Sequence, residues 1–381
     1  MTLRRTNAVV IGAGMIGTVH ATAVRAAGGQ VRGVVASTPA RSARLATQWD
    51  VPVAYPDLAD VLADDAVDVI HVCTPNALHA HQAAAALRAG KHVICEKPLA
   101  TSVADARMLE ATADEAGRVL AVPFVYRYHP LVREIRARAE QGEFGAWQLI
   151  HGSYLQDWML SEQSTNWRVD AELGGRSRAF ADIGSHWCDL VEWVAGVRFA
   201  EVTARLAITR PKRPVAEATT LRQAAGGKPV ATEDVAAVLL RTADDVLASV
   251  TVSQVSAGRK NRLWFELDGS EASAVFDQEQ PESIWLGGPE SSRVVVRDPL
   301  TGSAEQQRLS VLPAGHAQGY ADCFRAFIGD AYAAMAGEHI VGLPTAGDGV
   351  RSAQLVDAVL RSADTLAWTP ITSELPEELA A

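Results

Sequence analysis

The chain has 381 residues, enough for two domains with a core each, and its 48% apolar and 21% charged residues are typical of a globular protein. Its formal net charge of −10, with no cluster of Lys and Arg, argues against a nucleic-acid-binding surface. No apolar run approaches the length that spans a bilayer, so we predict no membrane partner.

The cysteines and the first residues bear on the cellular compartment. The four cysteines are scattered without a C-x-x-C pair, which indicates neither a disulfide framework nor a zinc site. Arg4 and Arg5 could begin an export signal, but a glycine motif that starts at Gly12 leaves no room for its apolar segment. We therefore predict a cytoplasmic protein.

The chain begins with the elements of a dinucleotide-binding fold. An apolar strand over Ala8–Ile11 is followed by G-x-G-x-x-G and by a helical segment that reaches Ala27. The first glycine allows a tight turn, the second lets the backbone approach a pyrophosphate, and the third lets helix and strand pack closely. The N–H groups at the start of the helix favour phosphates. The candidate cofactor-binding residues of this motif are Gly12, Gly14, Met15, Ile16 and Gly17.

The second strand, Val31–Val35, ends where an NAD-dependent protein often places an acidic residue for the ribose 2′-hydroxyl. Here the chain reads Ala36-Ser37-Thr38, with Arg41 one helical turn later. No carboxylate would repel a 2′-phosphate, and Ser37 and Arg41 could receive one. We predict NAD(P) as the cofactor, with NADP favoured over NAD, and Ser37, Thr38 and Arg41 as its ligands. The alternative is that Arg41 is merely solvated.

Strands and helices alternate up to residue 125, which predicts a doubly wound parallel sheet. The further predicted elements are strands over Val67–Cys73, His92–Cys95 and Val119–Val125, and helices over His79–Ala89 and Asp105–Gly117. The strand that ends at Cys95 delivers Glu96 and Lys97 to its carboxyl end, the edge where ligands bind such sheets. A lysine held in a cleft can act as an acid or base, because burial shifts its pKa readily. The alternative is a solvated Glu-Lys pair.

After residue 125 the pattern changes. A helical segment carries Asp182 and His186 four residues apart, so a helix places them on one face; the alternative is a stabilising Asp and a core His. Beyond residue 200, seven strand-like segments follow with few helices between them. This predicts a mostly antiparallel sheet with one open face, a plausible oligomer surface. We predict domains over residues 1–125 and 126–381, with the helix Ala346–Leu366 docking on the first domain and a frayed tail over Leu375–Ala381.

The combination resembles the Gfo/Idh/MocA family of sugar and polyol oxidoreductases. The matching segments, in family order, are Gly12–Gly17, Thr74-Pro75-Asn76 followed by His79, Glu96-Lys97-Pro98, and Gly174-Gly175 leading into Asp182 and His186. The resemblance implies a Rossmann domain plus an α/β domain with an open, mostly antiparallel sheet, assembled as a homodimer or homotetramer through that sheet. It also implies a nicotinamide cofactor and catalysis by Lys97, Asp182 and His186.

Further residues are assigned only through this resemblance. It places near the cofactor Thr74, Pro75, Asn76, His79, Glu96, Lys97, Trp167 and Arg168. Two segments, Tyr126-Arg127 and Tyr154–Trp158, resemble the levoglucosan dehydrogenase branch. The implied substrate-binding residues are Lys97, Tyr126, Arg127, Gln156, Trp158, Asp182 and His186. Two features depart from that branch: the missing acidic residue after the second strand, and Arg176-Ser177-Arg178, which could serve a substrate carboxylate or face solvent.

The implied reaction moves a hydride between the nicotinamide and a secondary hydroxyl of a sugar, anhydrosugar, glycoside or polyol, and it requires no metal. A base must lie within hydrogen-bond reach of that hydroxyl. His186 is favoured as proton acceptor and Lys97 as stabiliser of the alkoxide, and the reverse assignment stays open. Asp182 would orient a neighbouring hydroxyl. Two alternatives remain: a glycoside-cleaving hydrolase that retains NAD, and a cofactor-sensing binding protein without turnover.

Overall fold

The structure is a computed structural model that describes residues 5–214 and 227–372. The predicted C-terminal tail lies outside these residues. The chain divides into two compact units: the first contains the residues up to Tyr128 together with Tyr320–Ala353, and the second contains His129–Gly319 and the residues from Gln354 onward. Within the described ranges, no helix combines the length and apolar character needed to cross a membrane.

The first unit contains a six-stranded parallel sheet, which confirms the predicted doubly wound parallel sheet and adds one short strand to the five that were predicted. Its strands are β1 (Asn7–Ile11), β2 (Gln30–Val35), β3 (Val53–Ala54), β4 (Val69–Val72), β5 (His92–Cys95) and β6 (Leu120–Ala121). They lie in the order β3-β2-β1-β4-β5-β6, so the strand order reverses between β1 and β4. The carboxyl ends of the strands beside such a switch point form the edge at which doubly wound sheets bind ligands.

The last strand of this sheet is shorter than the strand predicted over Val119–Val125. Pro123 has no N–H with which to continue a ladder, and the N–H of Val122 donates to the carbonyl oxygen of Pro344. The chain then forms a 3₁₀-helix over Val125–Tyr128. β6 therefore ends after two residues, because the next N–H is taken by Pro344 and Pro123 cannot continue the ladder.

Five helices connect the strands of the first unit. They are α1 (Met15–Ala26), α2 (Pro39–Trp49), α3 (Leu58–Ala63), α4 (His79–Arg88) and α5 (Val103–Ala116). The side chains of Thr38, Asp57 and Ser102 accept backbone N–H bonds at the starts of α2, α3 and α5. Neither α2 nor α3 was among the predicted elements, although the capping Thr38 and the proline after it mark the start of α2.

The second unit contains a nine-stranded sheet and a separate two-stranded ladder. Its strands are β7 (Trp147–Leu155), β8 (Phe199–Ala207), β9 (Lys212–Arg213), β10 (Lys228–Pro229), β11 (Val235–Thr242), β12 (Leu247–Ser253), β13 (Arg262–Gly269), β14 (Ser273–Asp277), β15 (Ser283–Gly287), β16 (Ser292–Val296) and β17 (Thr369–Pro370). The large sheet has the order β16-β15-β14-β13-β7-β12-β11-β8-β17, and β9 pairs with β10. Only β7 and β12 pair in parallel within the large sheet, so the prediction of a mostly antiparallel sheet is confirmed.

One face of this sheet is packed and the other is open. The helices of the unit include α6 (Pro130–Glu140), α7 (Ala171–Gly174), α8 (Ser185–Ala195) and α9 (Ala304–Leu309), of which α8 packs on β13 and α6 on β14. Along β11 the side chains of Ala236, Val238 and Leu240 are buried, whereas Leu239 between them is 43% exposed. This alternation is what an antiparallel sheet with one covered face produces.

Two long helices follow α9, namely α10 (Tyr320–Met335) and α11 (Ala346–Thr365). The first belongs to the first unit, where it packs against α1. The second begins in the first unit and ends in the second. The first unit is therefore built from two separate parts of the chain.

Candidate active site

The turn between β1 and α1 has the backbone geometry of a dinucleotide-binding site. Gly12 adopts a φ of +98°, and a Cβ there would collide with the carbonyl of Cys73. A Cβ on Gly17 would collide with the carbonyl oxygen of Gly12. Both positions therefore exclude every side chain, which is the reason the motif requires glycine there.

The start of α1 fits the phosphates of a dinucleotide. Gly14 is exposed, and a Cβ there would meet open space rather than protein atoms. The helix has no side-chain cap and no acidic residue in its first turn, whereas α2, α3 and α5 each begin with a capping side chain. Its first N–H groups and its dipole are therefore directed to a surface that can accept an anion.

The predicted ribose-binding residues lie at the exposed start of α2. Ser37, Thr38 and Arg41 are all exposed, and the Thr38 hydroxyl accepts the backbone N–H of Arg41 at 3.2 Å. A surface cavity of about 450 Å³ is lined by Gly14, Arg41 and Arg44, among others. Arg44 was not singled out from the sequence, although its spacing of three residues from Arg41 places the two guanidinium groups on one helix face.

The loops that follow β4 and β5 are joined by His79. Its Nδ1 lies 2.8 Å from the carbonyl oxygen of Pro98, and its Nε2 lies 2.9 Å from that of Thr74. His79 is only 1% exposed, and Asn76 is also buried, whereas Thr74 and Pro75 are partly exposed. Of these predicted cofactor ligands, Thr74 and Pro75 present surface, and His79 holds the two loops together.

Glu96 and Lys97 follow β5. The Glu96 carboxylate accepts the backbone N–H of Lys97 at 3.1 Å through Oε2, and its Oε1 lies 3.1 Å from Nε2 of His20. Burial opposes ionisation of Glu96, but the hydrogen bond to His20 and the electrostatic influence of His20, Lys97 and His79 together hold its pKa below the ordinary value. Glu96 is therefore a buried anion beside the half-buried Lys97.

Tyr126 and Arg127 lie in the interior of the first unit, in the 3₁₀-helix after β6. A guanidinium nitrogen of Arg127 lies 2.7 Å from a carboxylate oxygen of Asp348. The ring of Tyr126 lies 6.0 Å from that of Tyr320. Both predicted substrate-binding residues therefore make contacts that tie the 3₁₀-helix to the later segment of the same unit.

In the second unit, Asp182 lies in a π-helix over Phe180–Gly184 that runs directly into α8. The N–H of Ser185 donates to the carbonyl of Phe180, which is an i→i+5 bond. The predicted pair of Asp182 and His186 therefore spans a change from π to α geometry instead of lying in one α-helix. Single π-turns of this kind are frequent at functional sites. The Asp182 side chain is 13% exposed, and His186 is 7% exposed.

The polar neighbours of the Asp182 carboxylate include Gln254 and Arg168. Gln254 donates from Nε2 to Oδ2 at 2.9 Å, and Nε of Arg168 lies 3.2 Å from Oδ1. The Arg168 guanidinium also lies 4.3 Å from the centre of the Trp167 ring. The predicted Trp167-Arg168 pair is thus attached to Asp182. Gln254, just beyond β12, was missed because no local pattern marks it.

A second polar group is centred on Asn261. Its Oδ1 accepts the hydroxyl of Tyr154 at 2.7 Å and Nε2 of Gln156 at 2.8 Å. The indole N–H of Trp158 donates to Oε1 of Gln156 at 2.9 Å, and the Tyr154 ring lies 6.4 Å from the His186 ring. Tyr154 therefore connects the predicted sugar-binding residues Gln156 and Trp158 with His186. Asn261 was missed, since it lies about a hundred residues later in the chain.

The segment before Asp182 is anchored by the buried carboxylate of Glu233. Its Oε1 accepts the hydroxyl of Ser177 at 2.8 Å and the backbone N–H groups of Arg178 at 3.1 Å and Phe180 at 2.8 Å. Burial raises the pKa of Glu233 above the ordinary value, although these hydrogen bonds act in the opposite direction. Glu233 therefore holds the start of the π-helix that carries Asp182.

The arginines before Asp182 have different surroundings. Arg178 is completely buried and forms an ion pair with Asp234, which also accepts from Arg213 at 2.9 Å. Arg176 is exposed and lies 3.2 Å from Asp364. The sequence left open whether this segment serves a substrate carboxylate or faces solvent. Arg178 does neither, because its buried guanidinium forms an ion pair with the buried Asp234.

One group of possible metal ligands occurs among the described residues. His151, Glu266 and Asp268 lie on the open face of the large sheet, and their ligand atoms lie within 4.8 Å of one another. The imidazole is 3.6 Å from the Glu266 carboxylate and 3.5 Å from that of Asp268. All three side chains are partly exposed.

Comparison with known proteins agrees with this arrangement. The family model "Oxidoreductase family, NAD-binding Rossmann fold" matches residues 6–124, and the model "GFO/IDH/MocA C-terminal domain" matches residues 132–275. A levoglucosan dehydrogenase of Pseudarthrobacter phenanthrenivorans is 31% identical to this chain, over 97% of this chain and 99% of its own length.

Solved structures are similar to this chain over 97% of its length. The crystal structure of an oxidoreductase domain protein from Kribbella flavida has a TM-score of 0.88 at 30% identity, and the match covers 97% of this chain and 100% of that chain. Levoglucosan dehydrogenase in complex with NADH also has a TM-score of 0.88, at 28% identity and with the same coverage. With an NAD-binding Rossmann fold in its first unit, this chain belongs to the Gfo/Idh/MocA family of oxidoreductases.

Proposed function

We propose that the protein is an NAD(P)-dependent dehydrogenase that acts on a secondary hydroxyl of a sugar, anhydrosugar, glycoside or polyol. The observation that carries this proposal is that the first unit contains two features together. The Glu96 carboxylate holds the backbone of Lys97, and the glycine turn leads into a helix that begins without a side-chain cap. A relative that is similar over 99% of its own length is a levoglucosan dehydrogenase, which supports a carbohydrate alcohol as the substrate class.

We propose that Lys97, Asp182 and His186 carry the catalysis. A bound nicotinamide would take the hydride from the carbinol carbon. His186 would accept the hydroxyl proton and Lys97 would stabilise the oxygen as its negative charge develops, with the reverse assignment of the two still open. Asp182, which Gln254 and Arg168 hold in place, would accept a hydrogen bond from a neighbouring substrate hydroxyl.

We also propose that the group around Asn261 binds the carbohydrate. Gln156 and Trp158 are linked to each other, and Tyr154 shares the Asn261 acceptor with Gln156. Amide and hydroxyl groups of this kind both donate and accept, as recognition of several adjacent hydroxyls requires. The partly exposed Trp158 ring adds an apolar surface beside them, suited to the C–H face of a sugar.

For the cofactor we propose NADP in preference to NAD. Two exposed guanidinium groups, Arg41 and Arg44, line the cavity beside Gly14, and Ser37 lies at the end of β2 without an acidic neighbour. A 2′-phosphate would gain charge-assisted hydrogen bonds there, whereas a carboxylate would repel it. We further propose a homodimer or homotetramer formed through the open sheet face, and a cytoplasmic location, which the scattered cysteines without a C-x-x-C pair support.

The decisive experiment follows nicotinamide absorbance with NAD⁺ and NADP⁺ against levoglucosan, glucose, myo-inositol and simple glycosides. Reduction with any of them is the expected result, and the cofactor that works tests the role of Arg41. Lys97→Met is expected to bind the nucleotide normally and to lose turnover; substantial activity in this variant would remove Lys97 from the mechanism. Glycoside cleavage without net reduction would instead favour the NAD-retaining hydrolase, and binding without any product would favour the cofactor sensor.

A further inference from the structure

Four side chains, of which three are buried and Tyr332 is partly buried, form a continuous hydrogen-bonded chain inside the first unit, which we call the Glu96 array. Its members are Tyr332 on α10, His71 on β4, His20 on α1 and Glu96 after β5. The hydroxyl of Tyr332 lies 3.0 Å from Nε2 of His71, whose Nδ1 lies 2.9 Å from Nδ1 of His20. Nε2 of His20 then lies 3.1 Å from Oε1 of Glu96, and Oε2 accepts the Lys97 N–H.

Two assignments of donors and acceptors satisfy every hydrogen bond of the array. In one arrangement Tyr332 donates to His71, His71 donates from Nδ1 to His20, and His20 donates from Nε2 to Glu96. In the other, a protonated His20 donates to both Glu96 and His71, and His71 donates from Nε2 to Tyr332. Every link is satisfied in both arrangements, and in both His71 is neutral and Glu96 is an anion. Burial is the main cause that holds the pKa of His71 well below its ordinary value, in agreement with a neutral His71.

The array is not needed to fill the core. His71 lies within β4, whose other residues are buried and apolar, and His20 lies on a helix face that otherwise buries small apolar residues. An apolar side chain would pack there without needing a partner, whereas a buried imidazole is unfavourable unless both nitrogens are paired. The array therefore introduces polar groups into a core, and its inner end contacts the backbone of Lys97.

We infer that His20, His71 and Tyr332 are positioning residues that act through Glu96 to hold Lys97 in its working orientation; this rests on the proposed catalytic role of Lys97. The Glu96 carboxylate has two oxygens, of which one is fixed by His20 and the other by the Lys97 N–H. On the far side of Lys97, His79 holds the carbonyl of Pro98. The backbone is therefore fixed on both sides of Lys97, and a catalytic side chain misplaced by as little as about 1 Å can lose about a hundredfold in rate.

The test uses His71→Leu, which breaks two links of the array without touching Glu96 or Lys97. We expect the Lys97 amide hydrogen to exchange faster by NMR and kcat to fall about tenfold. KM and the dissociation constant of the nicotinamide cofactor should remain near wild type. His71→Gln, which keeps one donor and one acceptor, is expected to restore part of kcat.

Phe324→Leu is the matched control, because the Phe324 ring lies 5.1 Å from the His20 ring and takes no part in the array's hydrogen bonds. It should lower thermal stability without changing Lys97 amide exchange or kcat. The inference is overturned if Phe324→Leu reproduces the effects of His71→Leu, or if His71→Leu leaves either exchange or kcat at the wild-type value. If His71→Leu does not fold, Tyr332→Phe removes the outermost link and is judged by the same two measurements. Full activity of Lys97→Met would instead refute the proposed function, while the amide exchange would still report whether the array holds the segment.

Discussion

Replacement of Glu233 tests how the second unit holds Asp182. Glu233→Ala removes the acceptor of three buried donors, namely the Ser177 hydroxyl and the N–H groups of Arg178 and Phe180. In Glu233→Gln the amide oxygen can keep the Oε1 position, which receives all three of these donors. The Oε2 position, which the amide nitrogen would take, receives only the shared N–H of Arg178. The two variants therefore separate the loss of the acceptor from the loss of the charge.

The expected magnitudes follow from the number of donors left without a partner. A buried donor without an acceptor costs about 1–3 kcal/mol, so Glu233→Ala should lose about 4 kcal/mol of unfolding free energy. In a unit of this size that corresponds to a fall in Tm of about 12 °C. Glu233→Gln should lose about 1 kcal/mol, or about 3 °C.

Scanning calorimetry measures both shifts, and the pH dependence adds a signed test. Burial raises the folded-state pKa of Glu233 above the ordinary value of 4.5. The stability that this carboxyl contributes is therefore fully present below the unfolded pKa and is lost as pH rises through the folded pKa. Because Gln does not titrate, the stability that Glu233→Gln loses relative to wild type should be largest at low pH. This loss should become smaller as pH rises from the unfolded pKa to the folded pKa of Glu233. Equal Tm losses for Ala and Gln, or a loss below about 3 °C for Ala, would refute the reasoning.

Three further predictions concern the proposed site. Gly17→Ala should abolish nucleotide binding, measured by calorimetric titration, because a Cβ there collides with the Gly12 carbonyl. Gly14→Ala is the control, and it should weaken nucleotide binding while leaving Tm unchanged. Normal binding by Gly17→Ala would contradict the role of the turn. Arg44→Ala should weaken NADP⁺ binding about tenfold and leave NAD⁺ binding unchanged, and an equal loss for both cofactors would show that Arg44 does not read the 2′-phosphate. Asn261→Ala removes the acceptor shared by two donors and should raise the carbohydrate KM about tenfold with unchanged cofactor affinity; a KM within twofold of wild type would exclude this group from substrate binding.

Local patterns were sufficient where one segment determines its own structure. The strand predicted over His92–Cys95 is β5 with the same bounds, because a short apolar run between a glycine and a polar edge has few alternatives. The glycine motif predicted its turn for a similar reason, since positions that collide with backbone admit only glycine. The alternation of these elements also predicted the parallel sheet of the first unit.

Local patterns failed where a neighbour from elsewhere in the chain decides the outcome. The strand predicted to continue to Val125 ends early, because Val122 donates to Pro344 rather than to a strand. Arg178 looked available to a ligand, but Asp234 holds it in the interior. In each case the partner is fixed by the packing of distant segments.

The sequence by itself determined the family, the two kinds of sheet and the residue types of the proposed site. Only the tertiary structure placed Gln254 against Asp182, Asn261 between Tyr154 and Gln156, and Tyr332 at the outer end of the Glu96 array. The physical reason is that a hydrogen bond requires the donor and acceptor atoms to lie within a few tenths of an ångström of their preferred separation, and strand order and register set those separations across the fold. A periodic pattern reports only which face of its own element a residue occupies.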